Sequence, residues 1–158
     1  MKAYTTKLID LTESHAEKIA RQWTKDVKTN AKTKSYRSAS DETILFQATE
    51  FYHHFREMFV HDEPCRHAEI FFEHYAEKRC REGIPLHEAV YALILMRRHI
   101  WLYAEFQAVF IMAVEHRQAV ESLSRTILMF DYAMYFITRK YLELMKNEKF
   151  EPPHTLSG

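Results

Sequence analysis

The chain is 158 residues long, 47% apolar and 28% charged, and its 22 basic residues balance 22 acidic ones. That length makes one domain with a sizeable core, and the cancelled charge supplies no global field to draw it to nucleic acid or anionic lipid. Its two glycines, Gly83 and Gly158, are too few for a phosphate-cradling loop or a dinucleotide fingerprint, which excludes P-loop and Rossmann enzymes.

The amino end lacks the continuous apolar region of a signal peptide. Thr12 is the first N-cap candidate, with Glu13 in the turn it opens. The helix behind it turns Ala16, Ile19, Ala20, Trp23 and Val27 inward, with Lys25 and Lys28 at its carboxyl end. Residues 29–40 form a polar loop, which Tyr36 is expected to pin to the bundle. Ser40 and Asp41 restart helix, and Ile44, Leu45, Ala48, Phe51, Tyr52, Phe55, Met58 and Phe59 keep a 3.6-residue rhythm. Residues 61–64 break it. A third helix over 64–81 buries Ala68, Phe71, Phe72, Tyr75 and Ala76.

Gly83 closes that helix and Pro85 opens the next. The stretch that follows carries two apolar stripes at helical spacing. One is Leu86, Val90, Leu93, Ile100, Ala104 and Ile111; the other is Ala92, Leu95, His99, Leu102 and Phe106. A helix apolar on most of its circumference must be covered on most sides, so this one is central. A last long helix over 117–146 is expected to turn Val120, Leu123, Ile127, Phe130, Met134, Ile137, Tyr141 and Met145 inward, after a turn at 115–119. Residues 150–158 read as a disordered tail. The fold expected over residues 1–149 is therefore all-α, a single bundle of about five helices with long central and carboxyl-terminal members. No strict heptad is sustained, so a long coiled coil is not expected.

The longest apolar runs, 89–96 and 108–114, are far short of a membrane span. Cys65 and Cys80 share one predicted helix, where fifteen residues of rise place them roughly 22 Å apart, beyond disulfide reach. Free thiols suit a reducing, cytoplasmic compartment.

Ten histidines invite a metal hypothesis. Glu50 and His53 have the Glu-x-x-His spacing of a di-iron ligand pair, but such bundles need two of these pairs and two further glutamates. His67 and His74 are seven residues apart, too far to share one ion unaided. His53, His54 and His61 read as exposed. Two cysteines so placed fit no zinc finger. His99 lies on an apolar stripe with Trp101 and Phe106 nearby, a setting that can hold a haem; the plainer reading is a core or interface histidine hydrogen-bonded to a neighbour. Arg97 and Asp131 also sit on apolar stripes and would meet if the last two helices pack antiparallel. A buried pair of this kind is structural in the plainer reading and a switchable contact in the sharper one. Arg97 and Arg98 with Arg79 and Arg81 can bind an anion or simply form a solvated face. No serine or cysteine stands in a nucleophile motif, so no catalytic residue is expected.

Four segments recur in a familiar order: IARQW at 19–23, SYR at 35–37, REGIPLHEAVYALILMRRHI at 81–100 and FDYAMYFITRKYLE at 130–143. Over about residues 10–145 this resembles the N-terminal sensor domain of RsbRD-type RsbT co-antagonist proteins, a module also found at the amino end of some bacterial sensor histidine kinases. The resemblance implies a small, dimeric, all-helical domain, distantly globin-like, with no general cofactor, that feeds a signal into STAS or kinase modules. No output module follows through residue 158, which leaves a stand-alone regulator or a fragment as the two expectations. The function expected is non-catalytic signalling in a bacterial stress response. It would act as a cytoplasmic homodimer, formed through the outer stripe of the central helix and part of the last helix, on a kinase or STAS-type partner. Neither nucleic acid nor membrane is an expected partner. The alternative is a small-ligand, haem or metal-binding protein using a pocket around His99, and a weaker third is a ferritin-like oxidoreductase.

Overall fold

The computed structural model describes residues 3–59, 66–106 and 113–150. They form six α-helices: α1 (Ala3–Ser14), α2 (Ala16–Thr29), α3 (Asp41–His53), α4 (Arg66–Arg81), α5 (Leu86–Phe106) and α6 (Ala113–Phe150). Short 3-10 segments, Lys34–Ser38 and Phe55–Phe59, follow α2 and α3. No strand occurs among the described residues, so the fold is all-α.

Two boundaries differ from expectation. Thr12 caps nothing: it is fully buried inside α1, and its hydroxyl donates back to Leu8 O at 2.8 Å. Helix begins instead near the amino end. His15 N–H still donates to Leu11 O and His15 O accepts from Ile19 N–H, so α1 and α2 meet at a one-residue break. Glu13 is drawn into a tertiary contact, accepting the Arg56 backbone N–H at 2.8 Å. The expected turn at 115–119 is helical, because α6 already begins at Ala113. Cys65, His61, the stripe position Ile111 and the expected tail past Phe150 lie outside the described residues.

The central helix is central. Ala89, Ala92, Leu93, Leu95, Met96, Ile100 and Ala104 are all buried. Helices α1, α2, α4 and α6 pack around α5. Three aromatic side chains from other parts of the chain donate to backbone carbonyls of α5 or the turn before it: Trp23 to Ala92 at 2.9 Å, Tyr52 to Met96 at 3.0 Å and Tyr141 to Ile84 at 2.9 Å. These aromatics bury large apolar bodies while their polar tips remain satisfied. Glu88, in the first turn of α5, accepts both the backbone N–H of Ser35 at 2.8 Å and its hydroxyl at 3.1 Å. That contact fixes the loop after α2, and Tyr36 completes it: fully buried, edge-on to Trp23 and hydrogen-bonded to the Tyr75 hydroxyl at 3.1 Å.

The α4–α5 turn is a Schellman motif. Ile84 N–H reaches back to Arg79 O and Gly83 N–H to Cys80 O, Gly83 takes φ +75°, and Ile84 is buried as the accompanying apolar contact. Nothing lies near the space a Gly83 Cβ would occupy, so the cost of a side chain there is conformational only. Gly83→Ala is expected to lower stability by about 1–2 kcal/mol, read as a lower urea midpoint at unchanged m-value.

Helix α6 departs most from the expected pattern. Its inward face is Ser122, Thr126, Met129, Phe130, Ala133, Phe136, Ile137 and Tyr141. Of the expected inward set, Phe130, Ile137 and Tyr141 are buried, whereas Val120, Leu123, Ile127 and Met145 are exposed. The physical reason is that two small hydroxyl residues take the interior. Thr126 satisfies its hydroxyl by donating to Ser122 O at 2.7 Å, and so costs little when buried. Arg139 ties α6 to α4, donating to Glu69 at 2.7 Å and Glu73 at 2.8 Å.

Candidate functional site

His99 is buried in the middle of α5, and its Nε2 lies 2.8 Å from Asp26 Oδ2 on α2. The plainer sequence reading therefore describes its geometry: a core histidine with a carboxylate partner. Its Nδ1 has no hydrogen-bond partner. Trp101 is half-buried against the core, and the Phe106 side chain lies outside the described residues. Removing the partner strands a buried polar ring. Asp26→Ala is thus expected to cost about 1–3 kcal/mol, with His99→Ala in the same background adding less than it does alone, as a double-mutant cycle in urea would read.

Arg97 and Asp131 do approach, at 3.9 Å between α5 and α6. They are not buried, however: the Asp131 side chain is 60% exposed and that of Arg97 26%. A contact so open contributes at most about 1 kcal/mol. The burial expected from the apolar stripes fails because α6 is rotated, which brings Asp131 to its outer face.

Glu50 and His53 are both exposed, and His54 rather than His53 pairs with Glu50, at 3.6 Å. Among the described residues no group of three or more His, Cys, Asp or Glu side chains is placed to hold a metal ion. Nor is any helix among them long and apolar enough to cross a membrane.

The arginines divide. Arg81 and Arg98 are exposed, whereas Arg79 is 1% exposed. Its Nη1 meets Glu82 at 3.1 Å, its Nη2 donates to Gln47 Oε1, and its guanidinium lies 5.3 Å from the Tyr75 ring centroid. Arg79 Nε and Gln47 Nε2 are buried without a hydrogen-bond partner. Both residues line a cavity of about 140 Å³ between α3 and α4, floored by Trp23, Phe51, Phe72, Leu93 and Met96. Glu50, His74 and Lys78, all exposed, stand at its edge. His99 and Trp101 are not among its lining residues. Sequence reasoning missed this pair because charge defaults to the surface. The signal was present: Arg79 continues the buried series Phe72 and Ala76 at helical spacing, and Gln47 falls within the face of Ile44, Ala48 and Phe51.

Outside the core, α6 exposes an unusual density of large apolar side chains. Val120, Leu123, Ile127, Leu128, Tyr132, Tyr135, Leu142 and Met145 are each at least 36% exposed. Along that face Leu128, Tyr135 and Leu142 repeat every seven residues, as do Ser124, Asp131, Thr138 and Met145. On α5, by contrast, Leu102 is the one stripe residue exposed among those whose side chains are described. Comparison with known proteins finds no matching family model, no matching curated protein and no matching solved structure.

Proposed function

We propose that the chain is a non-catalytic regulatory domain that works as a homodimer through the outer face of α6 and relays its state to a signalling partner, of the kinase or STAS type that the sequence resemblance suggests. The observation that carries this reading is the exposed apolar face of α6. Isolated apolar residues on a surface mean little, but a contiguous patch marks an interaction site. From Val120 to Met145 the patch runs about 38 Å along the helix. A specific interface buries upward of about 1,000 Å² in all, and a face of this length in both copies is what would supply it.

A second copy rather than a foreign chain is what the sequence resemblance implies, since the domains it points to are dimeric. The face is not a heptad seam, because the row Ser124, Asp131 and Thr138 through its middle is polar. Such a contact is isologous and closes at two subunits. The central helix has less to offer such a contact, since Ala92, Leu93, Leu95, Ile100 and Ala104 of its stripes are buried within its own chain, while Leu102 is exposed. Arg97 and Asp131 lie at this face, so covering it would desolvate Asp131 and strengthen its dependence on Arg97. This gives the pair its proposed role as a contact sensitive to dimer geometry.

The test is a double charge substitution on residues that support no core contact. Leu128→Lys with Leu142→Lys is expected to leave the helical circular dichroism unchanged and to convert a dimer to a monomer, read by light scattering after gel filtration. A variant that keeps the wild-type mass would remove α6 as the interface.

A further inference from the structure

The cavity between α3 and α4 has a surface made almost wholly of carbon. Its floor is Trp23, Phe51, Phe72, Leu93 and Met96, all buried and drawn from α2, α3, α4 and α5. The polar groups beside it are directed elsewhere. Arg79 Nε and Gln47 Nε2 have almost no exposed surface, so neither reaches into the space. The Arg79 Nη atoms turn to Glu82 and to Gln47 Oε1. Trp23 donates to Ala92 O, and the Tyr75 and Tyr36 hydroxyls bond each other. A buried water needs about two to four polar partners, and this floor supplies none. The mouth carries a second, independent feature. Phe46 borders the cavity with 65% of its surface exposed, the highest value among the large apolar side chains described.

We infer that this cavity is a binding site for a neutral, apolar molecule about the size of one aromatic ring, held between the buried floor and Phe46 as its outer wall. A volume of about 140 Å³ is close to that of an apolar cavity known to take a benzene ring. A guest of that size restores the dispersion contacts that the lining of a void lacks. It also takes the Phe46 ring out of water, and a ring-shaped guest gains the offset or edge-on contacts that aromatic pairs favour. The chemistry of the site selects against charge. Inside, an ionised group would lose its hydration and find no hydrogen-bond partner. At the edge, Lys78 and Glu50 are both exposed and of opposite sign, so neither an anion nor a cation is drawn in. This inference stands apart from the dimer reading: the cavity lies between α3 and α4, not on the outer face of α6, and a monomer would bind the guest equally well.

The experiment is titration of the intact chain with benzene, and with benzoate as a charged probe carrying the same ring, followed by chemical shifts and by NOEs from the probe protons. The expected result is one saturable site per chain for benzene, contacts from its ring to Phe51, Leu93 or Met96, and at least about tenfold weaker binding of benzoate. Phe46→Ala, at an exposed position, is expected to leave the fold intact and to weaken benzene by roughly threefold to tenfold. Four results would each overturn the inference: no saturable benzene binding at millimolar concentration, benzoate bound as tightly as benzene or more so, probe contacts elsewhere on the chain, or a benzene affinity indifferent to Phe46→Ala. The first three are read on the wild-type chain, so a poorly folding variant would not shield it.

Discussion

Phe51→Ala is expected to destabilise the protein by about 3–5 kcal/mol, lowering the thermal midpoint by roughly 10 °C for a chain of this size. Phe51 is fully buried at the centre of an aromatic cluster. Its ring centroid lies 5.4 Å from that of Tyr52, 5.9 Å from Phe55, 5.6 Å from Phe71, 6.0 Å from Phe72 and 5.9 Å from Phe130. Those partners come from α3, the segment after it, α4 and α6, so one truncation loosens several packing seams at once. Most of the contacts are tilted or edge-to-face, the geometries that add to simple area burial. The loss is compounded because Phe51 also floors the α3–α4 cavity, which would enlarge rather than collapse around the missing ring. Phe51→Leu keeps most of the volume and is expected to cost less than about 2 kcal/mol. Urea unfolding of the two variants side by side checks the ranking, and equal losses would show that the rings contribute no more than bulk.

Alkaline pH should unfold the protein more sharply than its composition suggests. Burial raises the pKa of the Tyr36, Tyr52, Tyr75 and Tyr141 hydroxyls above the ordinary tyrosine value. At Tyr36 and Tyr75 the nearby Arg79 charge partly opposes that rise. Each group keeps its proton in the folded state after the unfolded chain has released it. Its stabilising contribution is therefore complete below the unfolded pKa of about 10 and is lost as pH climbs from there through the folded value. One unit above the unfolded value, each tyrosine that stays protonated removes about 1.4 kcal/mol. Tyr36, Tyr52 and Tyr141 together remove on the order of 4 kcal/mol by about pH 11, and the raised Tyr75 hydroxyl adds to that in the same direction. Urea midpoints at about pH 8 and pH 11 measure this, and Tyr52→Phe should reduce the slope by one tyrosine's share while losing its bond to Met96 O. A midpoint flat across that range would mean that these hydroxyls are open to water.

The parts of the fold written in local pattern were legible in the sequence. Gly83 and Pro85 announced the α4–α5 turn because φ +75° leaves few residue choices. The crowded apolar stripes of α5 announced a helix covered on most sides. Helix α1 was missed because its chief signal, Thr12, is a good cap by type but is used in the helix interior, where a buried hydroxyl bonds back to the preceding turn. The register of α6 was misjudged for a related reason. Ser122 and Thr126 take the interior while Val120 and Ile127 face out, and counting hydrophobicity alone places them the other way round.

Site geometry was less legible, since it depends on partners far apart in sequence. The histidine reading named the right kind of contact for His99 but not Asp26, which lies 73 residues away. Arg97 and Asp131 were paired correctly and given the wrong burial. Arg79 and Gln47 were not singled out together. Their meaning lies in what they lack, and an unpaired donor is invisible until every neighbour is in place.

The central claim is that the outer face of α6 is covered by a second copy of the chain. Sedimentation equilibrium of the wild-type protein across the micromolar range tests it directly. The account predicts a species of twice the 19.0 kDa chain mass, dissociating only on dilution. A single 19.0 kDa species throughout that range would contradict it.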